Sequence, residues 1–104
     1  MGGTATGGRS IAKSRLREFW EQHPDAKEPL EVWYREASAA DWATPQDVKT
    51  RYRTASFPGC DRVVFNIKGN TYRLIVHVLY KFRTVYIRFV GTHSDYDDID
   101  ATTV

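Results

Sequence analysis

Arg62-Val-Val-Phe-Asn-Ile-Lys-Gly-Asn-Thr-Tyr-Arg-Leu-Ile-Val-His-Val-Leu-Tyr-Lys-Phe-Arg-Thr-Val-Tyr-Ile-Arg-Phe-Val90 is where the chain changes its period. Upstream, apolar residues recur three and four apart. Here they recur every second residue, the spacing of a strand with one buried face. Arg62–Ile67, Thr71–Tyr80 and Thr84–Val90 all alternate, and Lys68-Gly69-Asn70 and Lys81-Phe82-Arg83 are short enough to be hairpin connections. The pattern predicts a three-stranded antiparallel meander. One face collects Val63, Phe65, Ile67, Tyr72, Leu74, Val76, Val78, Val85, Ile87 and Phe89, and must pack on something apolar. The other collects Arg62, Val64, Asn66, Arg73, Ile75, His77, Tyr86 and Arg88, and reads as an open polar and basic groove.

The apolar partner lies upstream. Leu16, Phe19 and Trp20 form a helical stripe that Ser14 is placed to cap and that His23-Pro24 ends. Asp25-Ala-Lys-Glu28 has the spacing of a capping box, and Leu30, Trp33, Tyr34 and Ala37 form a second stripe. These predict an antiparallel helical hairpin. Thr44-Pro45-Gln46-Asp47 opens a short third helix to about Tyr52, and Arg53–Asp61 reads as a loop. Ile11-Ala12 is expected to be a short first strand. Helices on one face of an antiparallel sheet give a two-layer α+β domain. Residues 1–8 have no hydrophobic face and read as a disordered tail or cloning remnant, leaving 9–104 as the single domain.

Charge supports a polyanion partner. The net +2 is made of +3 over residues 1–20, −5 over 21–47, +8 over 48–91 and −4 in the remaining tail. A basic half of this kind is the footprint of a nucleic-acid binder, although strand lysines and arginines also serve solubility. Cys60 is the single cysteine, which excludes an intrachain disulfide and fits a cytoplasmic protein. No apolar run approaches a membrane span.

The chemistry gathers at the end of the meander, in Tyr86-Ile-Arg88-Phe-Val-Gly-Thr-His93-Ser-Asp-Tyr96-Asp97. Arg73 and Arg88 fall on the polar face of adjacent strands with no carboxylate at a cross-strand position. Two guanidinium forks aimed at one groove suit a phosphodiester, although the same pair could salt-bridge to the aspartate-rich tail. His93 and Tyr96 follow, three apart. RNA carries its own nucleophile, the 2′-OH, so an enzyme need only move protons and stabilise a pentacoordinate anion. Histidine titrates in the useful range, and a tyrosine beside arginines yields its proton more readily. Other chemistries fit less well. Asp95, Asp97, Asp98 and Asp100 lack the glycine and final glutamate of a calcium loop. His23, His77, His93 and Cys60 lack zinc spacing, and Cys60 follows Pro58-Gly59 with no activating neighbour.

From Ile11 to Ala101 the chain resembles HigB-type toxins, RelE-like mRNA interferases of bacterial toxin–antitoxin pairs. The likeness is carried by Arg15-Leu-Arg-Glu-Phe19, His23-Pro24 before Trp33-Tyr34, Ala40-Asp-Trp42, Arg62-Val-Val-Phe-Asn66 with Gly69-Asn70, Tyr72-Arg73-Leu74, Tyr86-Ile-Arg88 and Gly91-Thr-His93-Ser-Asp-Tyr96-Asp97. The resemblance implies a RelE-like fold and cleavage of translated mRNA in the ribosomal A site. It further implies no metal or other cofactor and inhibition by a helix-turn-helix antitoxin of the HigA type. It assigns catalysis to Arg73, Arg88, His93 and Tyr96. Asn66, as a substrate or structural partner, joins Lys68 and Lys81 in RNA binding, while His77 falls outside the pattern. The competing reading is a non-catalytic RNA- or ribosome-binding module that blocks translation, with His93 and Tyr96 stacking on bases.

Overall fold

The change of period at Arg62 is a change of layer. The computed structural model describes residues 9–11 and 13–104. In chain order these form β1 (Arg9–Ile11), α1 (Lys13–Gln22), α2 (Lys27–Ala39), α3 (Pro45–Arg51), β2 (Ser56–Gly59), β3 (Arg62–Ile67), β4 (Tyr72–Leu79), β5 (Thr84–Thr92) and α4 (His93–Asp97). The expected meander is the centre of a five-stranded sheet ordered β1-β5-β4-β3-β2. All neighbours are antiparallel except β1, which lies parallel to β5. The architecture is α+β. Ile11 is in the first strand as expected, whereas Ala12 and the tail 1–8 lie outside the described residues.

The stripes pack as their spacing requires. Leu16 and Trp20 of α1 and Leu30, Trp33 and Ala37 of α2 are buried against Val63, Phe65, Leu74, Val76 and Val85 of the sheet. Trp33 meets Phe65 edge-on at 5.4 Å, and Trp42 stacks on the same ring at 6.1 Å. Full burial of an aliphatic or Phe side chain of this core contributes roughly 1.5–3 kcal/mol. Thr44 and Asp47 close the capping box of α3 as read: Asp47 N donates to Thr44 Oγ1 at 3.3 Å, and Thr44 N to Asp47 Oδ2 at 3.1 Å.

Four local expectations are corrected. Helix α1 begins at Lys13, so Ser14 lies inside its first turn and is not its cap. Helix α2 follows a 3₁₀ turn, Pro24–Ala26, with no side-chain cap. The Asp25 carboxylate turns to the sheet instead, accepting from Tyr72 Oη at 2.5 Å and Lys68 Nζ at 2.6 Å. There the carboxylate meets an ammonium and a phenol hydroxyl, where a cap would offer it only backbone N–H. The bond from Lys68, then that from Tyr72, holds Asp25 below the usual carboxylate range.

The expected loop Arg53–Asp61 contains β2. All four of its residues are exposed, so it has no alternation to read, and Pro58 is tolerated on an edge strand. Cys60 and Asp61, at φ 56° and 59°, make the tight turn into β3, a conformation usually filled by Asn-Gly.

The last correction is on the polar face. Ile75 pairs with Phe89 while Val76 pairs with Ile87, so Arg88 is an extra residue, a bulge in β5. Beyond it the alternation inverts. Phe89 leaves the helical side and Val90 joins it. Phe89, Val64 and Ile75 then make a second small core with Tyr96, Ile99, Ala101 and Val104. The face expected to be an open groove is closed over its middle.

Candidate active site

The face of the sheet opposite α1–α3 is built of cross-strand rows set by the register. Asn66, Arg73 and Gly91 form one; Val64, Ile75 and Phe89 the next; Arg62, His77 and Tyr86 the last. Polar rows therefore flank an apolar one, which the chain from Ile99 to Val104 covers.

At the first polar row, β5 turns directly into α4. Thr92 caps the helix: Asp95 N donates to Thr92 Oγ1 at 3.1 Å, and Thr92 N donates to Asp95 Oδ2 at 3.2 Å. The cap fixes where the helix starts and so where His93 and Tyr96, three residues apart, stand. The guanidinium of Arg73 lies over the Tyr96 ring, 5.5 Å from its centroid, and donates from Nη1 to the Asn70 carbonyl at 3.3 Å. His93 is exposed, its Nδ1 3.5 Å from Asp97 Oδ2 one turn along. Asn66 stands across from Arg73 and gives its amide to the Thr54 carbonyl at 3.4 Å, tying the approach to β2 to this row.

Arg88 is exposed at the bulge and donates from Nε to the Val104 carbonyl at 3.2 Å. Among the described residues the ion pairs are Arg51–Glu36, Lys68–Asp25, Arg83–Asp41 and His93–Asp97. Arg73 and Arg88 thus keep their charge for another partner, and the tail aspartates do not neutralise them. Lys68 is committed to Asp25 at the β3–β4 turn. Lys81 lies in the Tyr80–Phe82 turn at the other end of β4. The structure brings Arg73, Tyr96 and His93 together at one end, places Arg88 between the rows, and does not gather the two lysines with them.

Two residues weigh more in the structure than in the sequence. His77 pairs across the ladder with both Arg62 and Tyr86. Burial, then the Arg62 guanidinium, holds its imidazole below the ordinary 6.5, with Arg88 adding to the shift and Asp61 opposing it. It is therefore largely neutral at neutral pH. Arg62 is buried rather than solvent-facing. The alternation that put both on the polar face was the available signal.

As chemistry, the arrangement offers guanidinium groups without a carboxylate, an aromatic platform under one of them, and an imidazole and a phenol on a capped helix. Comparison with known proteins bears on the use made of it. The HigB toxin family, described as the RelE-like toxic component of a toxin–antitoxin system, matches residues 26–99. That span holds every candidate residue named above. The mRNA interferase toxin HigB of Escherichia coli K12 is 29% identical over 94 residues, covering 84% of this chain and 86% of the relative. The mRNA interferases HigB of Escherichia coli O157:H7 and Shigella flexneri match to the same extent.

Proposed function

The chain belongs to the HigB toxin family, the RelE-like toxic components of toxin–antitoxin systems, and from that premise we propose that it is a ribosome-dependent endoribonuclease. It cuts translated mRNA without a metal and so stops growth. The observation that carries the reading is the Arg73–Tyr96 stack on a sheet face whose two arginines, Arg73 half-buried and Arg88 exposed, have no acidic partner among the described residues. The names of the relatives, mRNA interferases, agree with it.

In the proposed reaction the 2′-OH of the substrate attacks the adjacent phosphorus. The 2′ oxygen loses its proton and bonds to phosphorus, the bond to the 5′ oxygen breaks, and that oxygen takes a proton. The products are a 2′,3′-cyclic phosphate and a 5′-hydroxyl. His93 and Tyr96 carry the two proton transfers, and Arg73 and Arg88 hold the charge of the pentacoordinate phosphorane. Asn66 positions the strand beside Arg73. The ribosome supplies the alignment of the 2′-OH with the scissile phosphate, a large part of the barrier in such reactions.

A toxin of this family requires an antitoxin. We assign that role to a helix-turn-helix protein of the HigA type, docking away from the arginine face, in the cytoplasm. Protection from hydrogen exchange confined to β3–β5 in the complex would overturn that docking preference.

Induction in cells followed by mapping of new RNA 5′ ends tests the function. New ends inside translated frames are the expected result. Arrest of translation with intact messages would replace the nuclease with the non-cleaving binder, for which the Arg73–Tyr96 stack would serve as a base platform.

A further inference from the structure

The proposed reaction gives no role to Arg62, a buried cation. Arg62 opens β3 and is 9% exposed, and its Nε and Nη1 are buried with no hydrogen-bond partner among the described residues. A guanidinium removed from water without an acceptor opposes folding. Asp61, beside it in sequence, is exposed and forms no ion pair with it. Arg62 lines a cleft of about 190 Å³ where the Cys60-Asp61 turn, Tyr80 and the start of α3 at Pro45 meet. Burial and the Asp61 charge push Tyr80 up to about 12, so a second wall of the cleft keeps a protonated hydroxyl. The cleft is smaller than the roughly 300–1,000 Å³ of sites that enclose a drug-sized ligand. It suits a single small anionic group.

The register says which anion. Arg62 and Asn66 share one face of β3, four residues and roughly 13 Å apart, and Asn66 pairs with Arg73. Arg88, at the bulge, donates to the carbonyl of Val104, which packs on that same face. Arg62, Arg88 and Arg73 therefore follow one another along a single face. We propose that Arg62 is a second phosphate-binding position, taking a backbone phosphate of the same RNA strand whose reacting phosphodiester lies at Arg73 and Arg88. This rests on the reading of that face as an RNA site. A contact of this kind sets the register of the strand and reads no base.

The test uses the full chain and a short 2′-O-methyl oligoribonucleotide, which binds but cannot be cut because its 2′ oxygen is blocked. Affinity is measured by fluorescence anisotropy across a salt series for the parent, Arg62→Met and Arg62→Lys, with thermal midpoints for each. Arg62→Met keeps most of the stem and removes the charge. It should weaken binding about tenfold and lower the slope of log affinity against log salt by about 0.7, the loss of one phosphate contact on a single strand. Its melting midpoint should equal or exceed that of the parent, because an uncompensated buried charge has gone. Arg62→Lys should retain the salt slope.

Unchanged affinity and slope in Arg62→Met would overturn the proposal, as would weaker binding to an acidic partner protein with RNA binding intact. A lowered melting midpoint in Arg62→Met would overturn it too, since Arg62 would then be a structural cation. Cleavage in cells is followed in parallel. Loss of RNA affinity without cleavage by the parent keeps this position and removes the nuclease. Cleavage with Arg62→Met indistinguishable from the parent does the reverse.

Discussion

Arg88 engages Nε with the Val104 carbonyl at 3.2 Å and makes no ion pair among the described residues. Arg83, five positions earlier, is occupied: its Nη1 donates to the Tyr80 carbonyl at 2.7 Å and its Nε meets Asp41 at 2.9 Å. The two substitutions should therefore differ in kind. Arg88→Ala is expected to lower the cleavage rate by ~10²–10³, the usual effect of losing a donor aimed at developing charge. Arg83→Ala should leave cleavage near the parent and cost at most about 1 kcal/mol of stability from its exposed ion pair. Tyr96→Phe keeps the ring under Arg73 and removes the proton, so it should abolish new 5′ ends while preserving RNA affinity. If Arg88→Ala and Tyr96→Phe both arrest growth like the parent at equal protein levels, the proposed site is wrong. His77 makes a prediction in pH. Its folded value lies below the 6.5 of the free imidazole, so the unfolded chain takes up its proton first as pH falls. The resulting loss of stability begins near the free value, grows until pH passes the folded value, and is absent above. Denaturation midpoints between about pH 8 and about pH 5 should fall less in His77→Gln than in the parent; equal falls would remove His77 from the account. Side-chain type and alternation, together with the family resemblance, put Arg73, Arg88, His93 and Tyr96 forward as candidates from the sequence. The commitment of Lys68 to Asp25 was not legible, because the two are joined by tertiary packing and are 43 residues apart.

The joint between β5 and α4 rests on Gly91. A Cβ there would stand 2.7 Å from Phe89 Cζ and 3.1 Å from Asp95 Cβ, so the absence of a side chain lets the bulged strand and the capping carboxylate approach each other. Gly91→Ala should cost about 1–3 kcal/mol through overpacking and displace the helix that carries His93 and Tyr96. Cleavage should then fall further than the loss of folded protein explains. Denaturant midpoints set against rates on folded protein decide this, and a fall in rate that merely tracks folding would refute it. Elements were legible where one period ran uninterrupted: the stripes of α1 and α2, the box at Thr44, the three central strands. They were illegible where one residue broke the period. The bulge at Arg88 moved Phe89 to the other face, which no count by twos can foresee. Edge strand β2, exposed throughout, had no pattern to offer.

For the molecule as a whole, the apolar middle row divides the basic face into two separated ends, so free RNA meets few cations at once. Affinity for naked RNA should be modest and fall steeply with salt, and cleavage should require the ribosome. Efficient cutting of naked RNA by the purified chain would refute this. The two-layer architecture could be read from the sequence because each layer has one buried face. The second small core could not, because its members come from the strands, α4 and the chain beyond it. The parallel pairing of β1 with β5 acts on a different timescale, that of synthesis. Arg15 Nη1 donates to the Ile87 carbonyl across 72 positions of chain, and among the described residues β1 has β5 as its one sheet neighbour. The first strand therefore waits, unpaired, until almost all the rest has left the exit tunnel, and Arg88 and His93 of the proposed site arrive in that same late portion. A ribosome making this toxin thus carries a nascent chain whose sheet is still incomplete.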